Sequence, residues 1–213
     1  MTEIRLKQSL NKLHNTMKKV LVFAIALFMA FSASAQIVSS SSRSVLKNNS
    51  TSSFKITAGY QQSSFTYEGL SISPNGFYAG LLYEVKSADY LMFGTGLLID
   101  YSSKKIDILR SDISMATSYI RVPIHLGVNF DTGNGLEIFA KAGPGISFGV
   151  YGKDDLFGDN GLKRFDIQLG LEAGVRFLSK YEFRLGYDWG LLDQSENAKL
   201  HRNILHLGLA YCF

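Results

Sequence analysis

The chain has 213 residues, of which 46% are hydrophobic, 13% aromatic and 19% charged, with 20 glycines, 3 prolines and 1 cysteine. Sparse charge beside abundant glycine and aromatics excludes disordered, coiled-coil and collagen-like chains, and Cys212 alone excludes an internal disulfide or a multi-cysteine metal or iron–sulfur site. The net charge of +4 does not point to nucleic acid: Arg5, Lys7, Lys12, Lys18 and Lys19 against Glu3 account for all of it, and the chain from Gln36 onward is neutral.

Residues 17–35 read as an export leader. Lys18 and Lys19 form a positive head, an apolar run follows from Val20 to Phe31, and Ala33-Ser34-Ala35 supplies an A-x-A cleavage site before Gln36. The run is too short for the ~20 residues that span a bilayer as a helix. Residues 1–16 precede the leader as an upstream extension, and no cysteine follows it to carry a lipid anchor. Residues 36–53, rich in serine and asparagine, read as a flexible periplasmic tether.

From Phe54 the pattern turns to period two. Alternating apolar residues predict eight strands at 54–60, 77–85, 93–101, 120–130, 136–142, 165–177, 181–189 and 205–213. Most approach the ~9–11 residues of a tilted membrane-spanning strand rather than the ~5–6 of globular sheets. The opposite face carries Arg121, His125 and Asn129; Glu137 and Lys141; Asp166, Gln168, Glu172 and Arg176; and Glu182, Arg184 and Asp188. Glycines 94, 96, 127, 143, 145, 170, 174, 186 and 208 share that face. Both signs of charge on one face and almost none on the other is the inverse of a soluble barrel. The pattern requires the apolar face to meet lipid and the charges to pair inside.

The connections alternate strictly. Residues 64–76, 102–118, 151–164 and 190–203 are long and polar, whereas 86–89, 131–135 and 179–180 are short. Long outer loops and tight periplasmic turns produce that rhythm. The expected fold is therefore an all-β, closed, eight-stranded antiparallel transmembrane barrel, an up-and-down meander with both termini in the periplasm. It comprises the leader (1–35), the tether (36–53) and the barrel (54–213). Pro123 and Pro144 fall inside strands and predict local bulges.

The sequence resembles the PorT-like outer-membrane β-barrel family. The carriers are Tyr119-Ile120-Arg121-Val122-Pro123, Ala140-Lys141-Ala142-Gly143-Pro144 and Tyr187-Asp188-Trp189-Gly190-Leu191. The last residues, Leu207 to Phe213, resemble the C-terminal signal read by the barrel-insertion machinery, alternating apolar residues that end on an aromatic. The resemblance implies the cell outer membrane of Gram-negative bacteria and a barrel shape. The namesake member takes part in protein export, and the resemblance does not extend to that activity.

An eight-stranded barrel encloses little more than its own side chains, so the inner charges are expected to form a packed ion-pair network that fills the lumen. Catalysis would need a nucleophile, a base and an orienting acid within hydrogen-bond reach. After the leader the histidines are His125 and His206, both inward by alternation, and His201 in the last outer loop. No catalytic, cofactor or metal residue is assigned. Asp154, Asp155, Asp159, Asn160 and Gly161 offer oxygen ligands in one loop, but their spacing fits no calcium-loop motif. Tyr60, Tyr83, Tyr101, Tyr187, Trp189, Tyr211 and Phe213 are expected to anchor the barrel at the lipid interfaces. The expected role is structural or interactive through the outer loops, with lipid, insertion machinery and envelope proteins as partners. The alternatives are an accessory part of a secretion or attachment assembly, and a lipid-modifying enzyme with a histidine facing outward near the membrane surface beside a serine and an acid.

Overall fold

The computed structural model describes residues 51–67, 70–86, 90–108, 111–133, 135–153, 156–157, 161–195 and 200–213. The leader, residues 36–50 of the tether and loop residues 154–155 and 158–160 lie outside the described residues. Within the described residues the chain forms β1 (Thr51–Tyr67), β2 (Leu70–Ile72), β3 (Asn75–Lys86), β4 (Leu91–Ile108), β5 (Ser111–Asp131), β6 (Leu136–Gly152), β7 (Phe165–Phe177), β8 (Tyr181–Gly190) and β9 (His201–Cys212).

Each long strand pairs antiparallel with the next, and β1 pairs with β9 from Lys55↔Cys212 to Thr66↔His201. That last ladder closes a barrel of eight staves, β1 and β3 to β9. The short β2 folds back on the end of β1, from Phe65↔Ile72 to Tyr67↔Leu70. Closure follows from the solvent. In hydrocarbon each unpaired backbone N–H or C=O costs several kcal/mol, and a meander can pair its two outermost strands only with each other.

The short connections gather at one end, here the turn end. Between β7 and β8, Leu178 and Ser179 both have positive φ (52° and 59°), and the Lys180 N–H donates to the Phe177 carbonyl at 3.0 Å. Two left-handed central residues make the two-residue hairpin turn whose twist matches its strands. The turn is thus centred on 178–179, one residue before the expected 179–180. Between β5 and β6, Asp131 Oδ1 accepts from the Gly133 N–H at 2.8 Å, and Gly133 and Gly135 take positive φ.

The opposite, loop end departs from the expected connections. Residues 102–118 are mostly strand: β4 and β5 stay paired through Ser103↔Ala116 to Ile108↔Ser111. Along β4 the ribbon runs beyond Ser103, the last residue of that strand with a partner on β3, for about 17 Å at ~3.4 Å per residue. Residues 64–67 and 70–72 likewise form a hairpin rather than an open loop, and Thr51 to Ser53, read as tether, belong to β1.

The prolines interrupt pairing without bulging the strands. The β4–β5 ladder skips the steps opposite Val122 and Pro123, and the β5–β6 ladder skips those opposite Gly143 and Pro144. Register is the same on both sides of each gap. Each proline remains paired on its other side, Pro123 with Gly145 and Pro144 with Leu169. A missing N–H removes bonds toward one neighbour only. The irregularity that shifts register lies instead between Ser118 and Tyr119.

The turn at Leu178-Ser179 uses two residues with a Cβ in a region costing roughly 1–2 kcal/mol each for L-amino acids. Replacing the pair with Asn-Gly is expected to stabilise the barrel by about 1 kcal/mol, read as a higher urea midpoint of the refolded protein in lipid vesicles. An unchanged or lower midpoint would show that the turn carries no such strain.

Candidate functional site

The alternation places every inner residue named from the sequence inside the barrel, and closure brings them together. The described lumen buries six acids, Glu84, Asp100, Asp166, Glu172, Glu182 and Asp188, with six bases, Lys55, Arg121, Lys141, Arg176, Arg184 and Arg202. Its formal charge is balanced, as a low-dielectric enclosure demands.

Toward the turn end, Glu84 is a hub. Its carboxylate accepts from Lys55, from Lys141 Nζ at 2.5 Å and from Arg176 Nη2 at 3.2 Å. Glu182 accepts from Lys55 at 2.5 Å and from Arg176 Nε at 2.8 Å. Lys55 reaches Glu182 across β9 because Ala210 and Cys212, the inward residues between them, are small. Glu137 accepts from Arg176 Nη1 at 2.8 Å and Lys86 at 2.5 Å, nearer the rim. In the middle, Glu172 pairs with Arg184 and, at 2.9 Å, with Lys141, its direct cross-strand neighbour.

Toward the loop end, Arg121 bridges Asp188 and Asp100, the latter at 3.3 Å. Arg202 approaches Asp100 at 3.4 Å and Asp166 at 3.9 Å, and its guanidinium lies 3.7 Å from the centroid of the Tyr119 ring. The enclosed cavity bounded by Tyr78, Arg121, His125, Gln168, Asp188 and His206 measures about 20 Å³, room for about one water molecule.

The loops add to the plug. Gln194 is fully buried, and its backbone accepts from the Lys163 N–H and donates to the Leu200 carbonyl, both at 2.7 Å. Phe157 is buried against Tyr119, edge to face at 5.5 Å, with Arg164 over its ring at 5.1 Å. A Cβ on Gly149 would stand 2.5 Å from that ring, so glycine there is what lets Phe157 in.

The sequence pattern singles out twelve inner polar residues but not Lys55, Glu84, Asp100 and Arg202. The first three sit at inward positions of strands that the alternation does mark, between Phe54 and Ile56, Tyr83 and Val85, and Ile99 and Tyr101. Arg202 falls in a stretch that reads as loop. Apolar residues also point inward without a sequence signal: Tyr78, Leu82 and Leu98 form a buried cluster. Glycine makes room for the Tyr78 ring, since a Cβ at Gly208 would fall 2.0 Å from Tyr78 Oη.

The histidines are placed as follows. His125 and His206 face the lumen, with His206 Nε2 3.6 Å from Asp188. His201 opens β9 on the outward side at the loop-end rim, its Nε2 3.5 Å from Asp193 Oδ1. Both side chains are about half exposed (45% and 44%), and the spacing exceeds a well-formed hydrogen bond, so the pair is a solvated contact. Among the described residues no group of three or more histidine, cysteine or acidic side chains could hold a metal. Cys212 is buried and inward.

Outward, the wall is apolar between two aromatic belts: Tyr60, Phe77, Tyr101 and Trp189 toward the loop end, and Phe54, Tyr83, Tyr181, Tyr211 and Phe213 toward the turn end. Tyr187 stacks edge-on with Trp189 at 4.9 Å, and Tyr211 with Phe213 at 5.0 Å. This is the two-girdle dress of a membrane-spanning barrel.

The family model of the outer membrane protein beta-barrel domain matches residues 23–213. Among solved structures, Ail, the attachment invasion locus protein of Yersinia pestis, in complex with the heparin analogue sucrose octasulfate, is similar at 19% identity, over 76% of this chain and 99% of that one, with a TM-score of 0.44. Neisserial surface protein A is similar at 18% identity over 76% and 99% of the two chains, with a TM-score of 0.47. OprG of Pseudomonas aeruginosa is similar at 12% identity over 79% and 99%, also with a TM-score of 0.47. No curated protein matches the sequence.

Removing one partner of a buried ion pair leaves an uncompensated charge, at about 3–5 kcal/mol. Glu84→Gln, which leaves three cations facing a neutral amide, is expected to destabilise the barrel by that amount. Asp193→Asn at the rim should cost less than about 1 kcal/mol. Urea unfolding in vesicles measures both, and equal effects would show that the lumen is hydrated and the network unimportant.

Proposed function

The chain belongs to the outer membrane protein beta-barrel family, and on that footing we propose that it is a plugged wall protein of the cell outer membrane. It acts by display, without turnover or cofactor, through the structures at its loop end. The observation that carries this reading is the filled lumen: among the described residues, twelve paired charges, a cavity of about 20 Å³ and a mouth packed with Phe157 and Gln194 leave no route for a solute. What remains free to act is the outside. There the β4–β5 ribbon stands clear of its neighbours, with exposed Lys104 and Lys105 near its base.

In this reading the loop end faces the exterior and the turn end the periplasm. Residues 17–35 serve as a cleaved export leader, residues 36–50 tether the barrel on the periplasmic side, and β9, ending on Phe213, is the strand presented to the insertion machinery. The motifs at Tyr119–Pro123 and Ala140–Pro144 support a place in the PorT-like branch of the family. An accessory role in a secretion or attachment assembly is the second reading, favoured by a ribbon whose β4 edge has, among the described residues, no β3 partner from Lys104 onward and so offers pairing sites to another chain.

Two measurements test the proposal together. The refolded protein should shift in gel mobility on boiling yet give no steady conductance in planar bilayers. Replacing residues 103–116 by a two-residue turn should keep the heat-dependent shift while abolishing capture of partners by intact cells. Steady conductance would sink the plugged reading. Retained capture would remove the ribbon as the site, and recovery of periplasm-spanning or secretion components would favour the assembly role.

A further inference from the structure

The outward wall of β1, β3 and β4 is not smooth. Ala58 and Ala79 oppose each other across the β1–β3 ladder, with Gly59 and Gly80 beside them, and Tyr60, Phe77, Ile99 and Tyr101 stand around them. Together they line a shallow hollow that is open along the outer face of the wall. Its floor is apolar, and the row on its turn-end side, Ile56 and Leu81, is exposed and apolar as well. At this level of the wall the medium is hydrocarbon, so water filling the hollow would lose its hydrogen bonds.

The chemistry changes in order along the same face toward the loop end. Directly beyond the hollow runs the aromatic row Tyr60, Phe77 and Tyr101, with the first two rings 6.1 Å apart edge to face, the residue type that sits at the headgroup boundary. The next row is Gln62, Asn75 and Ser103, in which Gln62 Nε2 donates to Asn75 Oδ1 at 3.0 Å. Ser64, one step further along β1, is bonded to Ser71 at 2.6 Å. Lys105 then projects, exposed, on the Tyr101 side of β4, four residues and about 13 Å further along the strand. From membrane centre to water the wall thus presents an apolar hollow, an aromatic belt, a shelf of amides and hydroxyls, and a cation.

We propose that this face is a binding site for a phosphorylated glycolipid of the outer leaflet, a lipid of the lipid A class. The acyl chains lie in the hollow over Ala58 and Ala79. The sugar sits on the shelf, where Gln62, Asn75 and Ser103 supply donors and acceptors matched to its hydroxyls. The phosphate meets Lys105, whose long stem lets the ammonium bend toward the headgroup plane. A diacyl glycerophospholipid would satisfy the hollow and the cation but not engage the donors and acceptors that Gln62, Asn75 and Ser103 have left beyond the Gln62–Asn75 bond. The outer-leaflet source rests on the loop end facing the exterior, as proposed above.

The test uses the full chain, delipidated and refolded in detergent, with lipid A and phosphatidylglycerol titrated separately and binding read by native mass spectrometry. Ala58→Leu/Ala79→Leu fills the hollow with groups that lipid tolerates, and Lys105→Glu reverses the charge. Ala140→Leu/Ala173→Leu enlarges an outward pair on another part of the wall and serves as control, with heat-modifiable mobility confirming that each variant folds. Each of the first two variants should weaken lipid A binding about tenfold, with the control unchanged. Equal binding by all variants, or equal weakening in the control, overturns the site. Phosphatidylglycerol bound as tightly as lipid A overturns the glycolipid assignment. Because the binding is read in detergent, it does not depend on sidedness; labelling of a Lys105→Cys variant on intact cells reads the orientation separately.

Discussion

Hydrocarbon cannot hydrogen-bond a peptide group, and the organisation of this molecule descends from that fact. A sheet in lipid must close, and closure here is the ladder between β1 and β9. Eight staves fix the bore, and a bore that narrow must be filled by the inward side chains of its own strands. The lumen is therefore a core, although a polar one, and it inherits the rules of cores: dense packing, no unpaired charge, and glycine where a ring has to lie flat against the wall.

The charged filling is better understood as specification than as a source of stability. A buried ion pair often gains little over an apolar pair of the same shape. An apolar lumen between apolar walls would leave the two faces of each strand indistinguishable, and a one-residue slip would cost little. With Lys55, Glu84, Arg176 and Glu182 inside, each on a different strand, a slip of any one of those strands would carry its charge into lipid and orphan the partners left behind, so the network fixes register on each strand that carries a charge. The crosslinks also reach beyond neighbouring strands. Lys55 on β1 and Glu182 on β8 are 127 residues apart in sequence and meet over β9, which ties the closing seam to the stave on its far side.

Alternation makes the wall legible in the chain itself, because the period-two signal exists wherever one face meets lipid and the other a polar lumen. It correctly sorts the inward glycines, the charged face from Arg121 to Asp188 and the eight staves. The same physics explains what is not legible. Beyond the aromatic belts both faces meet water, the pattern lapses, and Ser103 to Ile108 read as loop although their ladder with β5 continues. Lys55, Glu84 and Asp100 occupy inward positions by the same rule, yet a single charge among apolar neighbours names no partner until the barrel closes. The prolines mislead for a different reason. In a barrel every strand has two neighbours, and losing one N–H opens a gap toward one of them while the other ladder holds register.

A filled lumen also decides where activity can reside. Among the described residues the interior holds a cavity of only about 20 Å³, so in the reading proposed here differences in what such a barrel does are written on its two remaining surfaces, the rim and the lipid-facing wall. Among the described residues, the rim of this chain is built of a projecting ribbon and of two loop segments that bury Phe157 and Gln194. The wall, usually treated as inert insulation, is here uneven. Where Ala58 and Ala79 replace the large side chains found above and below them, lipid packs against a shape rather than a plane, and one aromatic row separates that shape from the shelf and the cation that would recognise a headgroup. Rim and wall meet at β4, the strand that carries Ile99, Tyr101 and Ser103 in line on the wall and Lys105 at the base of the ribbon, so a lipid held on that face as proposed would also touch the footing from which the ribbon projects.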